Sequence, residues 1–123
     1  KAVIGVVEGD THDIGKNLVK IMMETAGFEM VDLGRDVPLQ KFVDTAKETR
    51  ADLVCLSTLM TTTMSGMKTV IDLLKEAGIR DEVKVMIGGG PVSKNFADKI
   101  GADGYSQNAV EAVRLAKSLL NIA

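Results

Sequence analysis

Short continuous apolar runs alternate along this chain with segments of helical period. The runs Ala2–Val7, Phe28–Leu33, Leu53–Leu56 and Val83–Ile87, with a shorter one at Gly104–Ser106, predict strands covered on both faces. Between them, apolar positions recur at helical spacing. Ile14, Leu18, Ile21, Met22 and Met23 mark a first helix, Leu39, Phe42, Val43 and Ala46 a second, and Met64, Met67, Val70, Ile71 and Leu74 a third. A short fourth runs from about Ser93 to Ile100, and a fifth carries Val110, Val113, Leu115, Ala116, Leu119 and Leu120. Gly27, Gly78 and Gly101 fall where the first, third and fourth helices should stop, Pro38 falls in the opening turn of the second, and Asp13 is placed to cap the first.

Strands alternating with helices predict one α/β domain over residues 1–123, a doubly wound five-stranded parallel sheet with right-handed crossovers. Five units fit the flavodoxin-like, Rossmann-like order 2-1-3-4-5, in which ligands lie outside the carboxyl ends of the strands, at the switch between strands one and three. The loop after strand one carries Asp10 and His12, and strand three ends at Ser57-Thr58-Leu59, so an imidazole and a hydroxyl should face each other across that crevice. His12 is the only histidine. It stands between Asp10 and Asp13, and a carboxylate that accepts the Nδ1 proton of a histidine fixes its tautomer and raises its basicity as a ligand. After strand four comes Gly88-Gly89-Gly90-Pro91, which serves either a tight turn or the close passage of a bulky group.

Composition removes several function classes. Lys plus Arg number 15 against 17 Asp plus Glu, a net charge of −2, and the aromatic residues are only Phe28, Phe42, Phe96 and Tyr105. Neither a basic stripe nor stacking platforms for nucleic acid are present. Cys55 has no partner for an intramolecular disulfide; it reads as a small hydrophobe in a cytoplasmic setting. No apolar stretch reaches membrane-spanning length, and no signal peptide is visible. The seven methionines read as core filler, except that Met60 and Met64 should reach the crevice rim. A P-loop fails because five residues, not four, separate Gly9 from Gly15 and Lys16 precedes Asn17. A receiver domain would want an aspartate where Ser57 stands, and the carboxylates flanking Thr11 would repel a flavin phosphate. One histidine and one distant cysteine cannot complete a zinc site. A metal held through a single protein ligand must bring its other ligands, as a macrocycle does.

The pattern Asp10-x-His12-x-x-Gly15, then 41 residues to Ser57-x-Leu59, then 28 residues to Gly88-Gly89, resembles the signature of cobalamin-binding domains. Those domains occur in methionine synthase, in corrinoid methyltransferase proteins and in adenosylcobalamin-dependent mutases. The resemblance covers nearly the whole chain. The segments Gly9–Asn17, Asp32–Pro38 and Leu59–Met64 are most similar to the methyltransferase branch, in particular the small corrinoid proteins of methanol, methylamine and methoxyaromatic methyl transfer in anaerobes. Gly90 departs from the pattern, where the family more often has alanine.

The resemblance implies a cobalamin or related cobamide bound base-off and His-on. His12 would be the lower axial ligand of cobalt, with Asp10 and then Ser57 as its relay. The displaced base would enter a slot lined by Ser57, Leu59 and Thr61 on one side and Gly88 and Gly89 on the other. Thr11, Asp13, Ile14 and Gly15 would lie under or beside the corrin, and Tyr105 and Ala109 would form the pocket floor. The implied function is that of a methyl carrier, cycling between Co(I) and methyl-Co(III) between a substrate-specific methyltransferase and an acceptor methyltransferase, with a reductive activator as a further partner. Neither nucleic acid nor a membrane is expected. The alternatives are the cofactor subunit of a mutase and a cobalamin-sensing regulatory domain; the text around Asp32–Pro38 and Thr61–Met64 disfavours the first, and the second would need a DNA-binding segment. Because Lys1 already opens a strand, the chain is expected to be cut from a longer protein with an N-terminal helical cap.

Overall fold

A computed structural model describes residues 1–122. Five parallel strands, β1 (Ala2–Val6), β2 (Met30–Asp32), β3 (Leu53–Ser57), β4 (Lys84–Gly88) and β5 (Gly104–Ser106), form one sheet in the order β2-β1-β3-β4-β5. Helices α1 (Ile14–Thr25), α2 (Leu39–Thr49), α3 (Ser65–Glu76), α4 (Lys94–Ile100) and α5 (Ala109–Leu119) connect and follow them, with single 3-10 turns at Thr61–Thr63 and Arg80–Glu82. Both the elements and their order agree with the sequence reading. The strand ends shift by a residue or more. Val7 leaves β1 and makes an isolated bridge to Val37, while β3 and β4 extend to Ser57 and Gly88, which pair in register.

The strands are covered on both faces, as their unbroken apolar runs require. Val3, Val54, Leu56, Val85 and Ile87 point to the larger core, shared with Phe42 of α2, Val70 and Ile71 of α3 and Ala97 of α4. Ala2, Ile4, Leu53, Cys55 and Met86 point the other way, to a smaller core closed by Met23 of α1 and by Ala112 and Ala116 of α5. Strand alternation therefore assigns every second residue to one of two unequal cores. Among the described residues no helix is long and apolar enough to cross a membrane.

Helix punctuation follows the glycines at the ends of α1, α3 and α4, where Gly27, Gly78 and Gly101 adopt positive φ. One detail adds to the sequence reading and one differs from it. Arg50, not a glycine, takes the left-handed turn after α2. Asp13 occupies the position before α1, but its side chain makes no capping bond; its carbonyl accepts from the Asn17 amide instead.

The glycine run after β4 is dictated in part by the fold itself. Gly89 has φ +129°, and a Cβ there would lie 1.7 Å from the Thr58 carbonyl oxygen, where backbone meets backbone and cannot yield. Gly89→Ala is therefore expected to destabilise the domain by roughly 2 kcal/mol or more, read as a lower urea midpoint with unchanged slope. A midpoint equal to that of the parent chain would contradict this.

Candidate functional site

The loop between β1 and α1 is organised by one carboxylate. Asp10 has no exposed surface. Its Oδ1 accepts the His12 backbone amide at 2.9 Å and lies 2.7 Å from His12 Nδ1, while its Oδ2 accepts the Thr58 hydroxyl and the Leu59 amide, each at 2.7 Å. Burial pushes the Asp10 carboxyl towards higher pKa, but the amides of His12 and Leu59, the Thr58 hydroxyl and the His12 ring outweigh it and hold the group well below the ordinary carboxylate range. With Asp10 ionised, His12 Nδ1–H donates and Nε2 keeps a free lone pair. The imidazole itself is 55 % exposed. One ring nitrogen is thus committed to the protein, and the other is available to a ligand.

The expected relay through Ser57 is corrected here. Ser57 follows Cys55 onto the α1–α5 face, and the pleat turns Thr58 to the opposite side, where Asp10 lies. Thr58 then meets the Thr63 hydroxyl, continuing the chain to the 3-10 turn. Ser57 makes no hydrogen bond to Asp10 and instead borders a cavity.

Neighbouring loops pin the His12 segment from the other side. Asp36, itself in left-handed conformation with φ 50°, accepts the Gly9 amide at 2.8 Å and donates its own amide to the Asp10 carbonyl at 2.8 Å. Glu8 accepts the Leu39 amide at the start of α2 at 3.2 Å. In the first turn of α1, Lys16 is 3 % exposed and holds Asp32 with its ammonium 2.9 and 2.8 Å from the two carboxylate oxygens. Burial raises the Asp32 carboxyl, but Lys16 and the Gly34 amide bring it below its usual value. The sequence reading missed Lys16, Asp36 and Thr58. Lys16 had been weighed only as a failed P-loop lysine, and its true signal is a charged residue on a helix position that must face the sheet.

A cavity of about 420 Å³ opens between α1, α5 and the carboxyl ends of the strands. His12, Gly15, Ser57, Leu59, Gly88, Gly89, Tyr105 and Ala109 border it, so the fold brings these separated sequence positions together. Thr11, Ile14 and Thr61 are exposed residues outside its lining, and Asp13 is half-buried beside His12. Added side-chain volume at Gly15 would meet nothing within 4 Å, whereas at Gly88 it would lie 3.3 Å from the Ser106 carbonyl. Tyr105 touches the cavity edge, but its ring packs against the larger core; the side chain that borders the cavity from β5 is Ser106, a residue the sequence reading passed over. Met64 likewise packs against that core, and Met60, 37 % exposed, is not among the residues that border the cavity. Cys55 is buried and unpaired, its thiol pushed up to about 12 by burial.

Among the described residues no group of three or more His, Cys, Asp or Glu side chains is placed to hold a metal ion. Any metal at His12 must carry its remaining ligands with it. Leu18 and Leu59, which border the cavity, are 53 and 49 % exposed, and Ile14, outside its lining at the start of α1, is 83 % exposed, so a large apolar ligand has a surface to cover.

The family model described as "B12 binding domain" matches residues 1–114. A dimethylamine corrinoid protein of Methanosarcina barkeri is 60% identical over 116 residues, covering 94% of this chain and 54% of that protein. The chain thus spans about half the length of the curated relatives it matches. The structure of the Methanosarcina barkeri monomethylamine corrinoid protein superposes with a TM-score of 0.91 at 44% identity, over 96% of this chain and 57% of that one. The methanol:cobalamin methyltransferase complex MtaBC of the same organism gives a TM-score of 0.89 at 36% identity, over 98% of this chain and 46% of that one.

Because the folded Asp10 pKa lies below its unfolded value of about 3.9, its contribution to stability is full above about pH 4 and is lost as pH falls further. Asp10→Asn is expected to cost about 1–3 kcal/mol at pH 7, with the gap to the parent chain closing below about pH 4 in urea titrations. A gap independent of pH would contradict the ionised clamp. In the same assay Thr58→Val should cost about 1–2 kcal/mol and Ser57→Ala less, and the reverse order would restore Ser57 to the relay.

Proposed function

The chain belongs to the B12-binding domain family, and from that premise we propose that it is the corrinoid-carrying part of a methyl-transfer system, binding its cofactor base-off with His12 as the lower ligand. The observation that carries this reading is the pairing of His12 Nδ1 with a fully buried, ionised Asp10 at the mouth of a glycine-bordered cavity. The residues fit a corrinoid. No protein ligand set for a bare ion accompanies His12 among the described residues, the opening beside Gly15 is clear, and the rim is apolar.

In this reading Thr11, Asp13, Ile14 and Gly15 would lie beside the ring system, and Ser57, Leu59, Gly88 and Gly89 would flank the displaced base, with Ser106 and Ala109 further along the cavity; Thr61, exposed outside the cavity lining, would stay at its entrance. When bound, the corrinoid cobalt supplies the centre that takes up and releases the methyl group. The protein's own part is positional and protonic. Asp10 keeps the proton on Nδ1 and so keeps Nε2 available as the ligating atom. The same 2.7 Å contact fixes the orientation in which the ring presents Nε2 to a ligand.

Support for the carrier role comes from the names of the relatives, which are corrinoid proteins of methylamine systems and a methanol methyltransferase complex. The partners in this reading are a substrate-specific methyltransferase and an acceptor methyltransferase, with a reductive activator as a further one. The unpaired, buried Cys55 suits a reducing cytoplasmic setting.

The test is retention of a cobamide through gel filtration, followed, after reduction of the bound corrinoid to Co(I) with an added chemical reductant, by its methylation when a methylamine and its methyltransferase are supplied. The parent chain should retain the corrinoid and accept the methyl group. His12→Gly and Asp10→Asn should bind at least roughly tenfold more weakly, the range expected for losing a ligand or its orienting carboxylate. Loss of neither affinity nor methylation in both variants would exclude the His-on arrangement, and a parent chain that retains no corrinoid would exclude the carrier reading.

A further inference from the structure

The strand registers sort the residues that face α1 and α5 into two rows. Ser57, Gly88 and Ser106 are register partners across β3, β4 and β5. Two residues back along the same face, about 7 Å deeper, Ile4, Cys55 and Met86 form the next row. The upper row is small and carries two hydroxyls. The lower row is apolar, and Ala112 of α5 closes it; these four residues are each 4 % exposed or less, and all border the cavity. The side chains of Ile4, Met86 and Ala112 contain no nitrogen or oxygen, so they offer a ligand neither a hydrogen-bond donor nor an oxygen or nitrogen acceptor. The Cys55 thiol, protonated throughout the physiological range, adds only a weak one.

We propose that this floor makes the domain selective for a corrinoid whose lower base presents an apolar edge, a methylated benzimidazole in preference to a purine. The inference rests on the reading that the displaced base enters this cavity. Ser57 and Ser106 serve polar atoms of the base at the upper row only. The ring nitrogen and exocyclic amine at the far edge of a purine would lose water at the lower row and find no partner there. An unpartnered polar group in such surroundings weakens binding roughly tenfold.

The test measures dissociation constants of two cobamides, one with dimethylbenzimidazole and one with adenine as lower base, for the parent chain, Cys55→Ser and Ala112→Ser. The ratio of the adenine to the dimethylbenzimidazole constant is compared between proteins. Any difference in the cost of releasing the base from cobalt belongs to the free cobamide and cancels in that comparison. Each serine places a hydroxyl in the lower row, so the ratio should fall by roughly fivefold in both variants, and either variant suffices should the other fail to fold. A ratio unchanged by the substitutions, with the dimethylbenzimidazole form still bound, overturns the floor inference and leaves the carrier reading intact. Retention of neither cobamide by the parent chain overturns both.

Discussion

The site depends on one ionised carboxylate held in the protein interior. Removing a charge from water is costly unless donors replace the lost hydration. Asp10 meets that demand with two backbone amides, a hydroxyl and a ring nitrogen, drawn from the loop after β1 and the segment after β3. The same bonds that keep Asp10 ionised therefore join the two loops on either side of the topological switch. His12 gains its orientation from this join, because its backbone amide and its ring are both tied to Oδ1. Asp36 and Glu8 extend the bracing to the segment after β2, so all three loops around the imidazole are fixed by carboxylates accepting backbone amides.

The inequality of the two cores explains where the cavity lies. Bulky Phe42, Met67, Ile71 and Leu74 fill the α2–α3–α4 face. The α1–α5 face is closed largely by alanines of α5, and near the strand ends it offers only Ser57, Gly88 and Ser106. Space is left at the carboxyl ends of the strands, where a doubly wound fold collects its ligands. Gly89 has a second duty, since β3 and β4 could not leave the sheet so close together with a side chain there. Of the two readings open from the sequence, the structure bears on the turn. Gly89 serves the turn, and Gly88 faces the cavity.

The elements, their order and the location of His12, Asp10, Gly15 and Gly88 were legible in the sequence because periodicity and glycine punctuation reflect local physics. What was not legible is the facing of residues at strand ends. In an unbroken apolar run no polar alternation marks which side each residue takes, so Ser57 and Thr58 exchanged roles, and Tyr105 and Ser106 did likewise. Lys16 and Asp36 were hidden for a different reason. Each acts through a partner far along the chain, Asp32 for one and Gly9 for the other, and no local pattern announces such a pairing.

The central claim, that the Asp10 clamp leaves His12 Nε2 free to ligate cobalt, is tested most directly by electron paramagnetic resonance of the Co(II) corrinoid-loaded protein, prepared with natural and with ¹⁵N-labelled histidine. The account predicts that labelling changes the axial nitrogen hyperfine pattern, because His12 is the only histidine in the chain. A pattern unchanged by the label would contradict it.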